Sequence, residues 1–260
     1  MRIPMIAALS CVLGLATVPA HAAFSQHTVT VNGHAYPYQV YTPDGKAAAH
    51  PPVVLFLHGS GERGSDNKAQ MTQGLPPWLA KHPDFQGVVV IPQAPEDKLW
   101  RGEVTQAAMK ALEDTIKAVD GDRKRIYLTG LSMGGYGAWE LLVQYPATFA
   151  AAAVICGGIQ PDGVDAFKRV YDRRQDPDAF AWVASRMGST PVWIFHGSDD
   201  GSVPVEQSRQ MHQALKAIHH EVRYTEYPGV GHGSWLPAYD EPDLWPWMFS
   251  HRLGDATKPG

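Results

Sequence analysis

Cysteine, charge and long apolar runs are all scarce in this chain of 260 residues. Of its two cysteines, Cys11 lies in an apolar N-terminal stretch, so a chain cleaved beyond it would keep Cys156 alone and form no intramolecular disulfide. Only 18% of residues are charged, the formal charge is −4, and no Lys/Arg-rich run is present. This composition excludes the basic surface that nucleic acids or anionic lipids require.

Metal chemistry also has no sequence signature. The twelve histidines include no His-Glu-x-x-His pair, and no set of histidines and cysteines has the spacing of zinc ligands. We therefore expect no metal and no cofactor. Aromatic residues make up 10% of the chain and the apolar fraction is 44%, so the sequence predicts a folded core and excludes general disorder.

The first 22 residues differ in kind from the remainder. Arg2 precedes an apolar stretch over residues 3–18, and the small residues Ala20 and Ala22 stand at the positions that signal peptidases prefer. The stretch of about 16 residues is shorter than the ~20 that a membrane-spanning helix needs. We predict a cleaved signal peptide over residues 1–22, a secreted or periplasmic location, and no membrane span after cleavage.

Beyond the leader, short apolar runs alternate with helix-like segments. Two β-type runs, 29–31 and 36–41, flank Asn32-Gly33 and predict a hairpin with a tight turn. The predicted strands that follow are 53–57, 88–91, 126–129, 151–155, 192–195 and 222–227, and the predicted helices are 104–119, 133–144, 179–187, 205–217 and 243–249. This order predicts an α/β fold over residues 23–260 as one domain. Its mostly parallel sheet would lie between helix layers, with the hairpin at one edge.

One motif is typical of a nucleophile. Between the strand 126–129 and the helix 133–144 the chain reads Gly130-Leu131-Ser132-Met133-Gly134. In this context a serine sits on a strained turn between strand and helix, and the flanking glycines relieve crowding. An accidental glycine-rich turn is the alternative interpretation, and the flanking strand and helix favour the nucleophile.

Two later loops supply a base and an acid for that serine. The strand 192–195 leads to Asp199 and Asp200, and the strand 222–227 leads to His232, which has a glycine on each side. The order Ser, Asp, His is that of α/β-hydrolases. The spacing alone leaves both aspartates open as the acid, and helix capping or loop hydrogen bonding would explain each residue without catalysis.

An early loop predicts the oxyanion hole. The strand 53–57 ends in His58-Gly59-Ser60-Gly61. In the α/β-hydrolase arrangement the loop after this strand supplies one amide and the residue after the nucleophile supplies the other. These donors fall on the backbone N–H groups of Ser60 and Met133. His58 precedes the loop glycines, and we expect it to have a structural role.

These segments together resemble the α/β-hydrolases of the esterase branch. The resemblance is to the secreted "predicted peptidase", polyhydroxybutyrate-depolymerase-like and feruloyl-esterase-like group. The matching stretches are 57–64, 91–93, 130–137, 196–200 and 229–232. In that group the acid is the fourth residue after the histidine of a His-Gly-x-x-Asp-x-x-Val-Pro pattern. This favours Asp200 as the acid. We expect Glu62 and Arg63 to brace the loop 58–61 that is predicted to supply an oxyanion donor, which we call the oxyanion loop.

We therefore expect a serine hydrolase that cleaves carboxylic esters of small molecules or of polymer fragments. The segment 157–191, where many lipases carry a lid, is short and strongly charged over 168–178, which predicts an open site and short or soluble acyl groups. Trp100 and Trp235 are candidates for the pocket wall, although packing would explain them equally well. A serine peptidase and a non-catalytic binding protein on the same scaffold are the alternatives.

Overall fold

The computed structural model describes residues 23–43, 49–159 and 178–254. Their strands are β1 (Ala23–Val31), β2 (His34–Thr42), β3 (Val53–Leu57), β4 (Val88–Pro92), β5 (Ile126–Leu131), β6 (Ala151–Ile155), β7 (Val192–Gly197) and β8 (Val222–Tyr227). They form one sheet in the order β1-β2-β4-β3-β5-β6-β7-β8. The strands from β3 to β8 run parallel, whereas β1 and β2 are antiparallel at one edge. The α/β-hydrolase fold predicted from the sequence is confirmed.

The helices are α1 (Leu75–Leu79), α2 (Glu103–Ala118), α3 (Met133–Gln144), α4 (Ala179–Ala184), α5 (Glu206–Ala217), α6 (Trp235–Tyr239) and α7 (Leu244–Ser250). The helix predicted over 179–187 ends earlier, at Ala184, and β1 begins six residues before the first predicted strand residue, Val29. The sequence patterns did not predict α1 and α6, since each spans five residues and contains proline. A single helical turn is too short to show a helical periodicity.

Two cores lie on the two faces of the sheet. Along β3, Leu55 packs with the residues of α2 to α5, whereas its neighbour Phe56 packs with those of α1, α6 and α7. Every residue of β3 is buried because consecutive side chains point to opposite faces and helices cover both. This explains why the central strands are continuous apolar runs without polar alternation.

The parallel register brings the carboxyl ends of three strands to one edge of the sheet. Leu131 at the end of β5 pairs with Ile155, and Gly197 at the end of β7 pairs with Tyr227. The loops that carry the candidate nucleophile, acid and base therefore leave the sheet on the same side, where ligands bind in open α/β sheets.

Two predictions concern segments outside the described ranges. These are the signal peptide over residues 1–22 and the charged stretch 168–178, of which the structure describes Asp178 alone. Among the helices that are described, none has both the length and the apolar character required to cross a bilayer.

We expect Leu142→Ala to destabilise the protein by about 2–5 kcal/mol, because Leu142 is fully buried in α3 and its loss leaves a cavity under the sheet. Urea unfolding followed by tryptophan fluorescence measures the change. Ile218→Ala is the matched control, since Ile218 is 49% exposed and should change stability by roughly 0.5 kcal/mol or less. Equal effects of the two variants would contradict the assigned core.

Candidate active site

Ser132 lies on a sharp turn between β5 and α3. Its backbone has φ 52° and ψ −120°, a conformation that a residue with a side chain rarely adopts. The Ser132 N–H donates to the carbonyl of Ile155 (3.0 Å), which ties the turn to the neighbouring strand β6. The side chain therefore stands above the carboxyl ends of the strands, as a nucleophile elbow requires.

A continuous line of hydrogen bonds joins Ser132, His232 and Asp200. The Ser132 hydroxyl lies 2.8 Å from His232 Nε2, and His232 Nδ1 lies 2.8 Å from Asp200 Oδ2. A carboxylate only accepts, so Nδ1 carries the proton and Nε2 is free to accept from the serine. Neutral His232 is thus held in the tautomer that can take up the serine proton.

The structure separates the two aspartates that the spacing left open. Asp199 is exposed and accepts from the Ser198 hydroxyl, whereas the side chain of Asp200 is fully buried. Burial alone would raise the pKa of Asp200. The His196 and His232 side chains and the Val203 and Ser202 amides outweigh it and hold this pKa well below its usual range. Asp200 is therefore an ionised acid at neutral pH, and it is the aspartate next to His232.

Ser60 and Met133 place two backbone donors beside the serine. Each is the first residue of a helical turn, a position whose N–H has no acceptor within the helix, and neither N–H has an acceptor elsewhere in the described part of the chain. The loop lies against the elbow, since a methyl group on Gly59 would be 3.7 Å from Cβ of Ser132. Two free donors thus lie close to the nucleophile.

His58 holds the oxyanion loop in place from inside the protein, through hydrogen bonds to the backbone. It is fully buried, its Nε2 accepts from the Ala94 N–H (3.0 Å), and its Nδ1 donates to the Gly59 carbonyl (2.6 Å). Burial lowers the pKa of His58 to about 4, so the ring is neutral in the neutral pH range. Both ring nitrogens are occupied by the backbone, as expected for a structural histidine.

Trp100 does not line the mouth of the site, which corrects the expectation from the sequence. It is 2% exposed, its indole N–H donates to the His58 carbonyl (2.9 Å), and its ring packs edge-on against the His58 ring. A methyl group on Gly137 would lie 2.4 Å from Cβ of Trp100, so the side chain is wedged beneath α3. Trp100 supports the loop from inside the core.

Glu62, Arg63 and Gln93 brace the same loop, as expected for the first two. Arg63 Nε donates to the Ser60 carbonyl (2.9 Å). Burial raises the pKa of Glu62, while the amides of Gly59 and Glu62 itself favour its charged form. Gln93 contacts the Glu62 carbonyl through its amide nitrogen and accepts from the Asn67 N–H. The loop is therefore rigid on the side away from the serine.

Trp235, the other candidate for the pocket wall, packs against the base His232. Its ring meets the His232 ring edge-to-face, with centroids 5.5 Å apart. Trp235 also lines a cleft of about 150 Å³ together with Trp78, Leu236 and Tyr239. Leu236 is 65% exposed. A small aromatic cleft therefore lies beside His232.

A larger cleft of about 780 Å³ shares no lining residue with the cleft that Trp235 lines. Its walls are both polar and apolar, and they include the charged residues Arg63, Lys98 and Glu103. Arg63 links this cleft to the loop, since its guanidinium also holds the Ser60 carbonyl.

Cys156 is the third group near the acid and the base. Within the described ranges, Cys156, Asp200 and His232 form the one group of three potential metal ligands, with ligand atoms within 4.8 Å of one another. Burial, and then the negative charge of Asp200, raise the pKa of the Cys156 thiol to about 12. The thiol is therefore protonated, and His232 and Asp200 already bind each other, so this group is a poor fit for a metal ion.

His196 and Ser208 are buried and joined to the acid, but no sequence pattern predicted a role for either. The His-Gly-x-x-Asp pattern contains His196 and marks its position, but no spacing rule connects it with a serine on the next helix.

Comparison with known proteins identifies the family. A model of the prolyl oligopeptidase family matches residues 97–245, more than half of the chain, and includes Ser132, Asp200 and His232. The chain belongs to this family.

Several similar proteins extend this likeness to esterases. A protein of Arthroderma benhamiae described as an uncharacterized secreted protein is 30% identical over 71% of this chain, and a probable carboxylesterase of Oryza sativa is 27% identical over 69%. A solved thermostable esterase is 32% identical over 88% of the chain, with a TM-score of 0.70. The chain spans 22% of the first protein, 80% of the second and 63% of the third. This member of the prolyl oligopeptidase family is thus an α/β-hydrolase related to both esterases and peptidases.

We expect the stability of this family member to rise with pH between about 4 and 6.5, in part because of His58. The folded state keeps His58 neutral, so below its ordinary pKa the unfolded chain binds a proton that the folded chain does not. The contribution amounts to at most about 3 kcal/mol and is complete above pH 6.5.

His58→Asn is the test variant, since its amide nitrogen can still donate to Gly59 but does not titrate. Urea unfolding at pH 4.5 and pH 7 gives the slope for each protein. A slope in the variant equal to that of the wild type would exclude His58 as a source of this pH dependence.

Proposed function

We propose that this protein is a serine esterase that hydrolyses carboxylic esters through Ser132, His232 and Asp200. The observation that carries the proposal is the unbroken hydrogen-bonded line from the Ser132 hydroxyl through His232 to the buried Asp200 carboxylate. A serine hydroxyl is a weak nucleophile on its own, and this arrangement supplies both the base and the group that orients the base.

The first half-reaction forms an acyl-enzyme. His232 Nε2 takes the Ser132 proton while Oγ attacks the ester carbonyl, and Asp200 stabilises the resulting imidazolium. The protonated His232 then gives its proton to the alkoxy leaving group as the C–O bond breaks. In the second half-reaction His232 removes a proton from water, the hydroxide attacks the acyl carbon, and Ser132 recovers its proton as the acid leaves.

The oxyanion formed in each half-reaction would be stabilised by two backbone amides. The free N–H groups of Ser60 and Met133, and the dipole of α3 that begins at Met133, face the site of developing negative charge in this proposal. Support for the Ser60 position comes from the bracing of its carbonyl by Arg63.

The substrate is proposed to carry a short or soluble acyl group. The cleft beside His232 has a volume of only about 150 Å³, which is the volume of a cavity that holds one benzene ring. Ester cleavage is supported by the likeness to the carboxylesterase of Oryza sativa, of which the chain covers 80%, and to the solved esterase. The second candidate is amide cleavage, which uses the same residues and is favoured by the family match.

The location of this activity is proposed to be outside the cytoplasm. The leader-like composition of residues 1–22 and the secreted relative of Arthroderma benhamiae support it. Small-molecule or polymer-derived esters encountered there are the proposed substrates, with no nucleic-acid partner.

We expect wild-type protein to hydrolyse p-nitrophenyl esters from C2 to C16, with kcat/KM falling beyond the short acyl chains. Ser132→Ala should lower kcat by at least about 10⁴-fold, because no other group replaces the nucleophile. Ser185→Ala is the matched control, since Ser185 is an exposed serine. Turnover that persists in Ser132→Ala would remove Ser132 from the mechanism. Faster cleavage of p-nitroanilides than of all esters would favour the peptidase.

We expect Ser60→Pro to lower kcat by about 10²–10³-fold with little change in KM, because proline lacks the N–H that stabilises the oxyanion. Residue 60 begins a helical turn after the extended Gly59 (φ −76°, ψ −175°), so proline fits the backbone there. Ser60→Ala keeps the N–H and is the control. If both variants retain wild-type kcat, Ser60 is not part of the oxyanion hole.

A further inference from the structure

A second histidine contacts the acid from inside the protein. His196 lies in β7 and is fully buried, and its Nε2 is 3.2 Å from Asp200 Oδ2, the oxygen that also accepts from His232. The same Nε2 lies 3.0 Å from the Val203 carbonyl. On the opposite side of the ring, Nδ1 lies 2.6 Å from the hydroxyl of Ser208, which is 2% exposed.

These contacts determine the tautomer of His196. Nε2 faces two acceptors, the Val203 carbonyl and the Asp200 carboxylate, so this nitrogen carries the proton. Nδ1 faces a hydroxyl, which can donate to it. With the hydrogen on Nδ1 instead, the Nε2 lone pair would point at two oxygens. Ser208 therefore favours the tautomer that carries its proton on Nε2, the nitrogen that faces the acid.

The four donors around Asp200 fill its acceptor positions. Oδ1 accepts from the Ser202 amide (2.8 Å) and the Val203 amide (2.9 Å), and Oδ2 faces His196 and His232. A carboxylate offers about four lone-pair positions in total. Because the side chain is buried, no water is available to replace a donor that is lost.

We propose that His196 and Ser208 form a positioning pair that aims Asp200 at His232 and limits how strongly the acid stabilises protonated His232. The inference rests on the proposed function, since it concerns the acid of that site. Oδ2 lies 3.2 Å from His196 Nε2 and 2.8 Å from His232 Nδ1, so both rings act on the same oxygen. Its position is therefore fixed by His196, and the part of its charge that acts on His232 is reduced.

Other charged groups around His196 are already paired. Glu226 of β8 is the cross-strand partner of His196, and Arg209 of α5 binds both of its carboxylate oxygens (2.9 and 2.5 Å). The Tyr224 hydroxyl also donates to Glu226. On β6, Cys156 offers a protonated thiol. Within the described ranges, the charged side chain in direct contact with His196 is therefore that of Asp200.

Three variants separate the N–H donor from the volume of the ring. His196→Leu removes the donor, whereas His196→Gln places an amide N–H near the position of Nε2, and Ser208→Ala removes the hydroxyl that selects the tautomer. Thr115→Val is the matched control for Ser208, since it deletes another buried hydroxyl, on α2, whose bond to the Ala111 carbonyl lies within its own helix. Thermal unfolding of each variant gives its Tm.

We expect His196→Leu to lower kcat about 10-fold to 100-fold toward a p-nitrophenyl ester, with KM within about twofold, because a displaced acid misaligns the base. The acid limb of its kcat/KM profile should move to higher pH, because Oδ2 then acts on His232 alone. His196→Gln should restore most of kcat and the wild-type limb, and Ser208→Ala should lie between the two. Thr115→Val should keep both.

The proposal is overturned if the acid limb of the kcat/KM profile of His196→Leu stays at the wild-type pH. It is also overturned if the loss of kcat in each variant follows the loss of Tm alone and His196→Gln does not restore kcat. A second measurement depends neither on the folding of His196→Leu nor on enzymatic turnover. In ¹⁵N-histidine-labelled wild type at pH 8, the ring signal that disappears in His196→Gln should show a proton on Nε2, and a proton on Nδ1 would overturn the proposal. Absence of wild-type esterase activity would instead reject the proposed function and leave this measurement valid.

Discussion

Backbone contact at the Ser132 turn is the constraint on which the site depends. A methyl group on Gly130 would lie 2.2 Å from the Gly134 carbonyl oxygen, and one on Gly134 would lie 2.0 Å from the Leu57 carbonyl oxygen. Neither distance leaves room for a side chain, so α3 can start directly against the ends of β3 and β5 only with glycine at both positions. This close approach places the α3 N-terminus, the oxyanion loop and Ser132 within one small volume.

The strained backbone of that turn persists because hydrogen bonds in the surrounding loop hold the region in place. A non-glycine residue at positive φ costs roughly 1–3 kcal/mol. Around Ser132, buried polar groups satisfy one another, since His58 binds two backbone groups and Trp100 binds the carbonyl of His58 itself. Each of these bonds would leave an unpaired buried group if the loop moved. The loop and the turn therefore hold each other in place.

Sequence patterns predicted the parts of this structure that depend on local periodicity or on short motifs. The central strands are buried on both faces and appear as apolar runs, and Gly130, Ser132 and Gly134 have a spacing that few turns share. Burial of a single tryptophan leaves no periodic pattern, so the sequence could not decide between a pocket wall and core packing for Trp100, which packs in the core. Asp199 and Asp200 are adjacent in the sequence, and only the structure shows that the Asp200 side chain is fully buried whereas Asp199 is exposed. Choosing Asp200 from the sequence therefore needed a family pattern.

The residues that would carry out the proposed reaction and those that would select its substrate also lie on different kinds of element. The hydrogen-bonded line from Ser132 to Asp200 is built on strand ends, whose position follows from the sheet, and it suits ester and amide carbonyls alike. The cleft beside it is walled by Trp78 of α1 and Trp235 of α6, helices of one turn that sequence patterns did not reveal. One-turn helices owe their form to tertiary packing and can change without disturbing the sheet. The acyl selectivity proposed for this protein therefore depends on the parts of the fold that are least determined by the sheet.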